Sequence, residues 1–574
     1  MQFHASSGAR SQRLRRVSAM FFAVILAVPV GLVAQGFGGD RDDHRPFQFI
    51  PGNLVVSRTV YDNRAGNVTV GEQLPPGCTA GNCVSAVSDG TYPFVFNNDG
   101  VDGSFGITSR IFLDQMTPWG WPLGTIEVPN NLMHGISSMS DQLVTSFSSK
   151  SELELHLSTD GRYLDFMGYV APVNMIDVSN SNTPAVIDAT NPVPSAYYRA
   201  AARVDRWGNF DFTETNAYSG NNGRAVILNN TSGNPVFYSA GNAGNGSNPQ
   251  PTGVVLGAGA QIFDFVDQRE DKQAPGMPTP VGSFSVTQLG DKADKIGKDD
   301  NFRGMTIFNK VVYFTKGSGG NGVNTVYFVD TTGTACPSGV GLPSATATLP
   351  TMPLAYSPST VQSNGLPSNM CVLAGFPTLS NKNGNPVNFP FGLWFADANT
   401  LYVADEGDGT TTYDAATNTY TDAAGQTLAG LEKWVFDSST KTWKLAYTLQ
   451  KGLDLGTPYR VRGYPTGTNT ATNLPWAPAT DGLRNIAGKV NRDGTATVWA
   501  VTSTVSGGGD AGADPDKLVV ITDKLANTTA SGAASEKFFT LRTAESGEAL
   551  RGVSFAPGGD GDDDRDDDGG FGGR

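Results

Sequence analysis

A repeated strand–turn–strand pattern is the feature of this chain that most restricts its fold. It is clearest at residues 389–409, where FPFGLWFADANTLYVADEGDG holds two apolar runs separated by a short polar turn. Residues 431–449 add two more such runs around a Ser-Ser-Thr-Lys turn. Four short apolar runs joined by tight turns predict a four-stranded antiparallel sheet in meander order, which is one blade of a β-propeller.

Looser copies of the pattern begin near residues 134, 224, 303, 484 and 551. Repetition on this scale predicts an array of equivalent blades. The last copy has no outer strands after it, whereas the apolar runs at 53–60, 107–113 and 124–128 have no innermost strand before them. We therefore expect one blade to be shared between the N- and C-termini, so that the ring closes without a long free edge.

The predicted fold class is all-β, a single β-propeller of six to seven four-stranded blades. Six blades follow from the count of repeats. An extra hairpin at residues 200–212 is the candidate for part of a seventh blade.

Residues 390–407 resemble the blades of NHL-type and related extracellular propeller repeat proteins. Those blades also contain Pro-x-Gly-Leu-x-Phe followed by Leu-Tyr-Val-Ala-Asp-x-Gly, and the other copies in this chain match only in pattern. The resemblance implies a fold and no particular chemistry, because propellers host hydrolases, lyases, oxidoreductases and binding proteins.

The first 36 residues predict a signal peptide. Four arginines between residues 10 and 16 precede a short apolar run at 20–33, and Ala34-Gln35-Gly36 supplies small residues for cleavage. We expect residues 37–52 to form a flexible arm, 53–557 the propeller, and 558–574, with its seven Asp, an acidic disordered tail. The predicted product is a monomer that is secreted, either extracellular or periplasmic, with no transmembrane segment in the mature chain.

Charge and cysteine content exclude some partners. The full chain has 40 basic and 54 acidic residues, and loss of the four leader arginines leaves 36 against 54, a net charge of −18. Such a field repels nucleic acid, so we expect no nucleic-acid partner.

In an exported protein the four cysteines predict two loop-closing disulfides. The predicted pairs are Cys78 with Cys83 and Cys336 with Cys371.

The candidate ligand site follows from the repeat, because residues just before innermost strands lie at one mouth of a propeller channel. Five copies carry a basic residue or histidine there: His134, Arg224, Arg303, Arg484 and Arg551. The copy at 389–409 has Phe391 instead. Clustered arginines need an anion, because like charges repel and burial removes hydration. Nearby acids that could supply it within the protein are Asp299, Asp300, Asp481, Glu545 and Glu548.

Three functions fit this mouth. The leading hypothesis is a secreted propeller that binds an anionic small molecule or a polysaccharide through the four arginines. An enzyme is the second: a polysaccharide lyase in which His134 removes a proton beside a neutralised uronate, or a hydrolase with a channel cation, which the arginines would repel. The third is a structural protein of the cell envelope or matrix.

No cofactor is predicted, apart from weak Ca²⁺ binding by the acidic tail, and the metal ligands are unknown. His156 alternates with apolar residues in Glu-Leu-Glu-Leu-His-Leu, which predicts a solvent-facing strand histidine. Trp119 and Trp121 lie in a predicted turn, where we expect them to pack between blades, with stacking on sugar rings as the alternative.

Overall fold

The fold is described from a computed structural model. It describes residues 47–74, 84–95, 106–136, 138–149, 151–176, 197–215, 217–218, 222–242, 259–266, 269–270, 279–282, 301–317, 322–354, 369–379, 388–470, 472–508 and 512–558. The predicted signal peptide, most of the predicted arm, the acidic tail beyond Gly558 and the predicted Cys78–Cys83 pair lie outside these residues.

Six antiparallel blades form a ring, which confirms the propeller and sets the blade number at six. The strands of blade 1, innermost first, are Glu548–Phe555, Leu54–Val60, Thr108–Met116 and Pro122–Glu127. Those of blade 2 are His156–Leu157, Tyr163–Tyr169, Arg199–Asp205 and Phe210–Thr215. Those of blade 3 are Gly223–Asn229, Val236–Gly241, Ala260–Asp264 and Pro280–Gly282.

The other three blades follow the same meander. The strands of blade 4 are Met305–Phe308, Val311–Lys316, Thr325–Val329 and Met370–Leu373. Those of blade 5 are Pro390–Asp397, Thr400–Asp405, Gly430–Asp437 and Thr442–Leu449. Those of blade 6 are Ala479–Val490, Thr495–Val505, Lys517–Lys524 and Phe539–Thr543.

Blade 1 is shared between the two ends of the chain, as the repeat predicts. Its innermost strand, Glu548–Phe555, pairs antiparallel with Leu54–Val60, with Leu54 opposite Phe555 and Val60 opposite Glu548. The N-terminal segment supplies the three outer strands. Because this pairing joins residues about 500 positions apart, the ring closes only when the last strand of the propeller is in place.

Blade 2 corrects two predictions. Its innermost strand contains His156, not residues near His134, and the segment 143–147 contributes only the short strand Thr145–Ser146, which pairs with Thr108–Ser109 of blade 1. The hairpin at 200–212 forms the two outer strands of this blade, so it is not part of a seventh. The prediction of a hairpin at 200–212 is confirmed, but the alternation of side chains along a strand does not determine which sheet the strand joins.

Short elements decorate the blades. Two-residue strands pair as Gln73–Leu74 with Val84–Ser85, Tyr413–Asp414 with Thr419–Tyr420, and Thr468–Asn469 with Leu474–Pro475. Arg269–Glu270 extends blade 2, and Val340–Gly341 runs parallel to the outermost strand of blade 4. The described helices are the 3₁₀ turn Met139–Asp141 and the α-helical turn Thr421–Gly425. In the described part of the chain, no helix has the length and apolar character needed to span a membrane.

The apolar core lies between neighbouring blades, where side chains of adjacent sheets interdigitate. The innermost strands also approach one another closely. A Cβ on Gly552 would lie 2.4 Å from the Leu153 carbonyl oxygen, and one on Gly304 would lie 2.1 Å from that of Phe391. Only glycine permits such backbone contact at the axis. The predicted Cys336–Cys371 disulfide is present, and it ties the loop after residue 330 to blade 4.

Candidate functional site

The four predicted arginines are buried near one end of the channel axis. Arg303 precedes the innermost strand of blade 4, and Arg224 is the second residue of that of blade 3. Arg484 and Arg551 lie within the innermost strands of blades 6 and 1, because those strands begin earlier than the repeat predicts. Their exposed fractions are only 2–4 %. We call these four residues the arginine cluster.

Glu406 pairs with two members of the cluster. Its Oε2 accepts a hydrogen bond from Arg484 Nε at 3.3 Å, and its Oε1 lies 3.8 Å from an Arg303 terminal nitrogen. Glu406 follows the second strand of blade 5, the same blade that carries Phe391 where its neighbours carry arginine. The Arg303 guanidinium lies 5.7 Å from the centre of the Phe391 ring. Blade 5 therefore contributes a carboxylate and an aromatic face to the cluster instead of a fifth cation.

Arg224 is held by neutral groups. Its Nε donates to Asn222 Oδ1 at 3.0 Å, and one terminal nitrogen donates to the Phe302 carbonyl oxygen at 2.6 Å and to Asn301 Oδ1. No carboxylate of the described residues lies within 4.0 Å of it. Burial, together with the positive charge of Arg303, lowers the pKa of Arg224 well below its ordinary value, although Glu406 and Glu152 act in the opposite direction. Arg224 is thus a desolvated cation without a directly paired anion.

Arg551 and Asp516 complete the cluster on the side of blade 1. Arg551 donates to the Phe147 carbonyl oxygen, and its own carbonyl accepts from Asn485 Nδ2 at 2.7 Å. Asp516 is buried and accepts the Leu550 N–H at 2.7 Å. Burial raises the pKa of Asp516 to about 7, although that hydrogen bond and the charges of Arg551 and Arg484 lower it in part. Near neutral pH this carboxyl is therefore only partly ionised.

Two of the acids expected to neutralise the arginines, Glu548 and Asp481, have partners outside the arginine cluster. Glu548 pairs with Arg58 at 2.6 Å and with Arg542 at 3.7 Å. Asp481 accepts hydrogen bonds from the Gly409 N–H and from Gln426. The Glu545 N–H donates to Glu548. Asp299 and Asp300 lie outside the described residues.

His134 does not occupy the position predicted for it. It lies on an exposed loop that follows blade 1, and the equivalent place on blade 2 is taken by Leu153, which packs against Gly552. Leu153 is flanked by two buried acids, Glu152 and Glu154. Glu152 accepts hydrogen bonds from Thr145 Oγ1 at 2.5 Å, from the Ser146 N–H at 3.0 Å and from the Tyr169 hydroxyl at 2.6 Å.

Three other predicted side chains are located by the structure. His156 is half-buried and lies 3.4 Å from Glu154, so it does not face open solvent as predicted. Trp119 and Trp121 are 77 % and 72 % exposed in the turn between the outer strands of blade 1. The expectation that they pack between blades is therefore wrong, and both indole faces remain accessible.

Comparison with known proteins assigns this chain to no family. No family model matches the chain, and no curated protein does, so the resemblance to NHL-type repeats holds only at the level of the propeller fold. Two solved structures of an ulvan lyase of polysaccharide lyase family 25 align with 86 % of this chain and 96 % of theirs. One of them is bound to -[GlcA(1-4)Rha3S]-. Identity is 10 % and 11 %, and the TM-score is 0.29 for both, so the likeness carries no argument about activity.

Proposed function

We propose that this protein binds an anionic group, a carboxylate or sulfate of a small molecule or polysaccharide, at the arginine cluster. The observation that carries the proposal is Arg224, a buried guanidinium whose hydrogen-bond partners are all neutral and whose neighbour is another arginine. Burying a cation is costly unless an anion compensates it. An incoming carboxylate or sulfate would supply that anion and accept the planar N–H donors of the guanidinium.

The chemistry of the cluster favours an oxyanion over a metal ion. Four guanidiniums from four blades converge, and the one carboxylate that pairs with two of them, Glu406, is already engaged. A divalent cation would meet net repulsion there. Secretion, which the N-terminal sequence predicts, would expose the site to extracellular polyanions such as polyuronates and sulfated glycans.

The test is ligand-induced thermal stabilisation with Arg224→Gln. Sodium sulfate and tetragalacturonate, each compared with sodium chloride at equal ionic strength, should raise the Tm of the wild-type protein, because a ligand that binds only the folded state stabilises it by mass action. The variant should lose that increase, since glutamine removes the charge and its amide reaches only the position of Arg224 Nε, which bonds Asn222.

Arg203→Gln is the matched control. Arg203 pairs with Asp211 at 2.8 Å on the outer strands of blade 2, away from the cluster, so its loss should leave the ligand-induced increase intact. An equal increase in Tm for wild type and Arg224→Gln would overturn the proposal. Lyase activity around His134 remains a prediction from the sequence, and an unsaturated product from a uronate panel that disappears in His134→Ala would support it.

A further inference from the structure

A pocket lies on the side of the ring opposite the arginine cluster. Its volume is about 420 Å³, which is within the range of small-molecule sites. Residues of blades 2, 3 and 4 and of the loop after blade 4's third strand line it: His156, Ser158, Thr231, Thr306, Lys310 and Leu349.

Strand direction places the two sites at opposite ends. Arg224 is the second residue of Gly223–Asn229, whereas Ile227, which lines the pocket, is the fifth. Arg303 precedes Met305–Phe308, whereas Lys310 follows it. At about 3.3 Å per residue, each pair is separated by at least about 10 Å along its strand.

A histidine–glutamate pair forms the inner wall of the pocket. His156 begins the two-residue innermost strand of blade 2, and Glu154 lies in the irregular segment just before it. His156 Nε2 lies 3.4 Å from Glu154 Oε2, and the Glu154 side chain is only 4 % exposed. Glu154 Oε2 accepts no hydrogen bond from the described residues. The Glu154 carboxyl thus lies beside one edge of the imidazole without a geometric hydrogen bond to it, and the His156 side chain lines the pocket.

The remaining lining combines hydroxyl groups with apolar side chains. Leu157, Ile227, Ile307 and Leu349 present aliphatic surface, and Ser158, Thr159, Thr231 and Thr306 carry hydroxyls. The Ser158 hydroxyl already donates to Asp160, and those of Thr159 and Thr231 bond to each other and to Asn229, so Thr306 has the lining hydroxyl that is not engaged by the described residues. Lys310 has a left-handed backbone (φ 62°) in the turn after the innermost strand of blade 4, and it is exposed at the rim. Hydroxyls beside an aliphatic wall match the two kinds of surface that a sugar ring offers, and the ammonium group of Lys310 adds affinity for an anion.

We propose that this pocket is a second ligand site, which binds a sugar ring carrying a carboxylate. Lys310 and His156 contact the carboxylate, and the Thr306 hydroxyl contacts a ring hydroxyl. The site is separate from the arginine cluster and does not depend on it.

Histidine NMR tests the proposal on the full mature chain. The whole sequence has four histidines, of which His44, His134 and His156 follow the predicted leader, so a protein labelled with ¹³C-histidine gives few ring signals. Titration with D-glucuronate should move the His156 signals, assigned with His156→Gln, in a saturable way. The exposed His134 should not move.

Lysine variants then locate the carboxylate. Lys310→Gln should weaken glucuronate binding about tenfold, the effect of losing one charge-assisted hydrogen bond. Lys441→Gln is the matched control, because Lys441 is also exposed, has a left-handed backbone (φ 53°) and lies in a turn between strands of blade 5. It should bind glucuronate like the wild type.

The proposals for the two sites can be rejected independently of each other. Unmoved His156 signals at saturating glucuronate would overturn the second site, and so would equal affinity in Lys310→Gln and wild type. If Arg224→Gln abolishes the shift of His156 while Lys310→Gln does not, the ligand binds at the arginine cluster and the second site is wrong. A normal response in Arg224→Gln with a loss in Lys310→Gln supports it.

Discussion

Two clusters of buried charge in this propeller differ in how completely they are compensated. Between blades 5 and 6, Lys433 and Asp523 are both fully buried and their charged atoms lie 2.8 Å apart. Lys433 Nζ also donates to the Tyr447 hydroxyl at 3.0 Å and to the carbonyl oxygens of Lys524 and Leu525 at 2.8 and 3.1 Å. In the arginine cluster, Arg224 has only neutral partners and Arg303 shares Glu406 with Arg484.

The difference motivates a structural role for the first cluster and the binding role that we propose for the second. Asp523 accepts from Tyr447 and Tyr402 as well as from Lys433, and Glu536 is a second carboxyl close to it. Nothing in that network requires a ligand. In the arginine cluster, Arg224 has no directly paired carboxylate among the described residues, and under the proposed function an external anion supplies one.

The largest effect should come from Asp523→Asn, which leaves the Lys433 ammonium buried without its counter-ion. Removing one partner of a buried pair destabilises a protein by about 3–5 kcal/mol, so we expect a loss of that order in urea-induced unfolding. The double variant Lys433→Met/Asp523→Asn should recover part of it, because no buried charge remains.

Asp523→Asn should not alter anion-induced stabilisation. If sulfate restored its stability, or if the double variant were no more stable than the single one, the interblade pair would not be the self-contained structural network described here.

A smaller and ligand-dependent effect is expected for Glu406→Gln. This change removes the carboxylate that Arg303 and Arg484 share, which should cost about 1–3 kcal/mol in the absence of a bound anion. Sulfate should then raise the Tm of Glu406→Gln more than that of the wild type, because it replaces the lost negative charge. Asp523→Asn, a destabilised variant with an intact arginine cluster, is measured under the same conditions, so that any larger gain of a less stable protein in sulfate, salting-out included, is accounted for. An equal gain for both variants would remove the distinction between the two clusters.

The fold could be predicted from sequence because its signals are repetitive and local. Alternating apolar runs specify strands, and the mismatch between the chain ends specifies the shared blade. Blade 2 departs from the pattern: its innermost strand has only two residues in regular pairing, and Leu153 adopts a left-handed backbone (φ 63°) that an apolar pattern does not reveal. The apolar run at 143–147 has the sequence pattern of an innermost strand. The pattern therefore predicts His134 at the position that Leu153 occupies in the structure.

The sequence predicts where the arginines of the site lie, but it does not predict which carboxylate pairs with them. Each arginine recurs at a fixed place in a repeat, so its location follows from the blade order. Glu406 follows a different strand of a different blade, and its contact with Arg484 is a long-range consequence of ring closure. One signal was available in the sequence: blade 5 has Phe391 where other blades have arginine. A blade without that cation has room for a carboxylate that compensates the arginines of its neighbours. The contact between Glu154 and His156 is not predictable from the sequence pattern, because it depends on the irregular backbone at residues 152–155.

The smallest expected effect concerns pH and sharpens the contrast at the arginine cluster. Burial raises the pKa of Asp516 to about 7, so this carboxyl is neutral below that pH and negative above it. Once ionised, it interacts with Arg551 and Arg484 and competes with an incoming anion. The affinity for sulfate should therefore fall about tenfold as the pH rises through 7, the size expected for one added charge at partly screened range.

Asp516→Asn should abolish this pH dependence, since asparagine keeps a carbonyl oxygen for the Leu550 N–H but does not ionise. Its sulfate affinity at pH 8 should match that of the wild type at pH 6, as measured by calorimetry at constant ionic strength. By linkage, wild-type binding near pH 7 should also take up protons, because the bound anion favours the neutral form of Asp516. Sulfate affinity that is flat between pH 6 and 8 in the wild type would show that Asp516 does not face the bound anion.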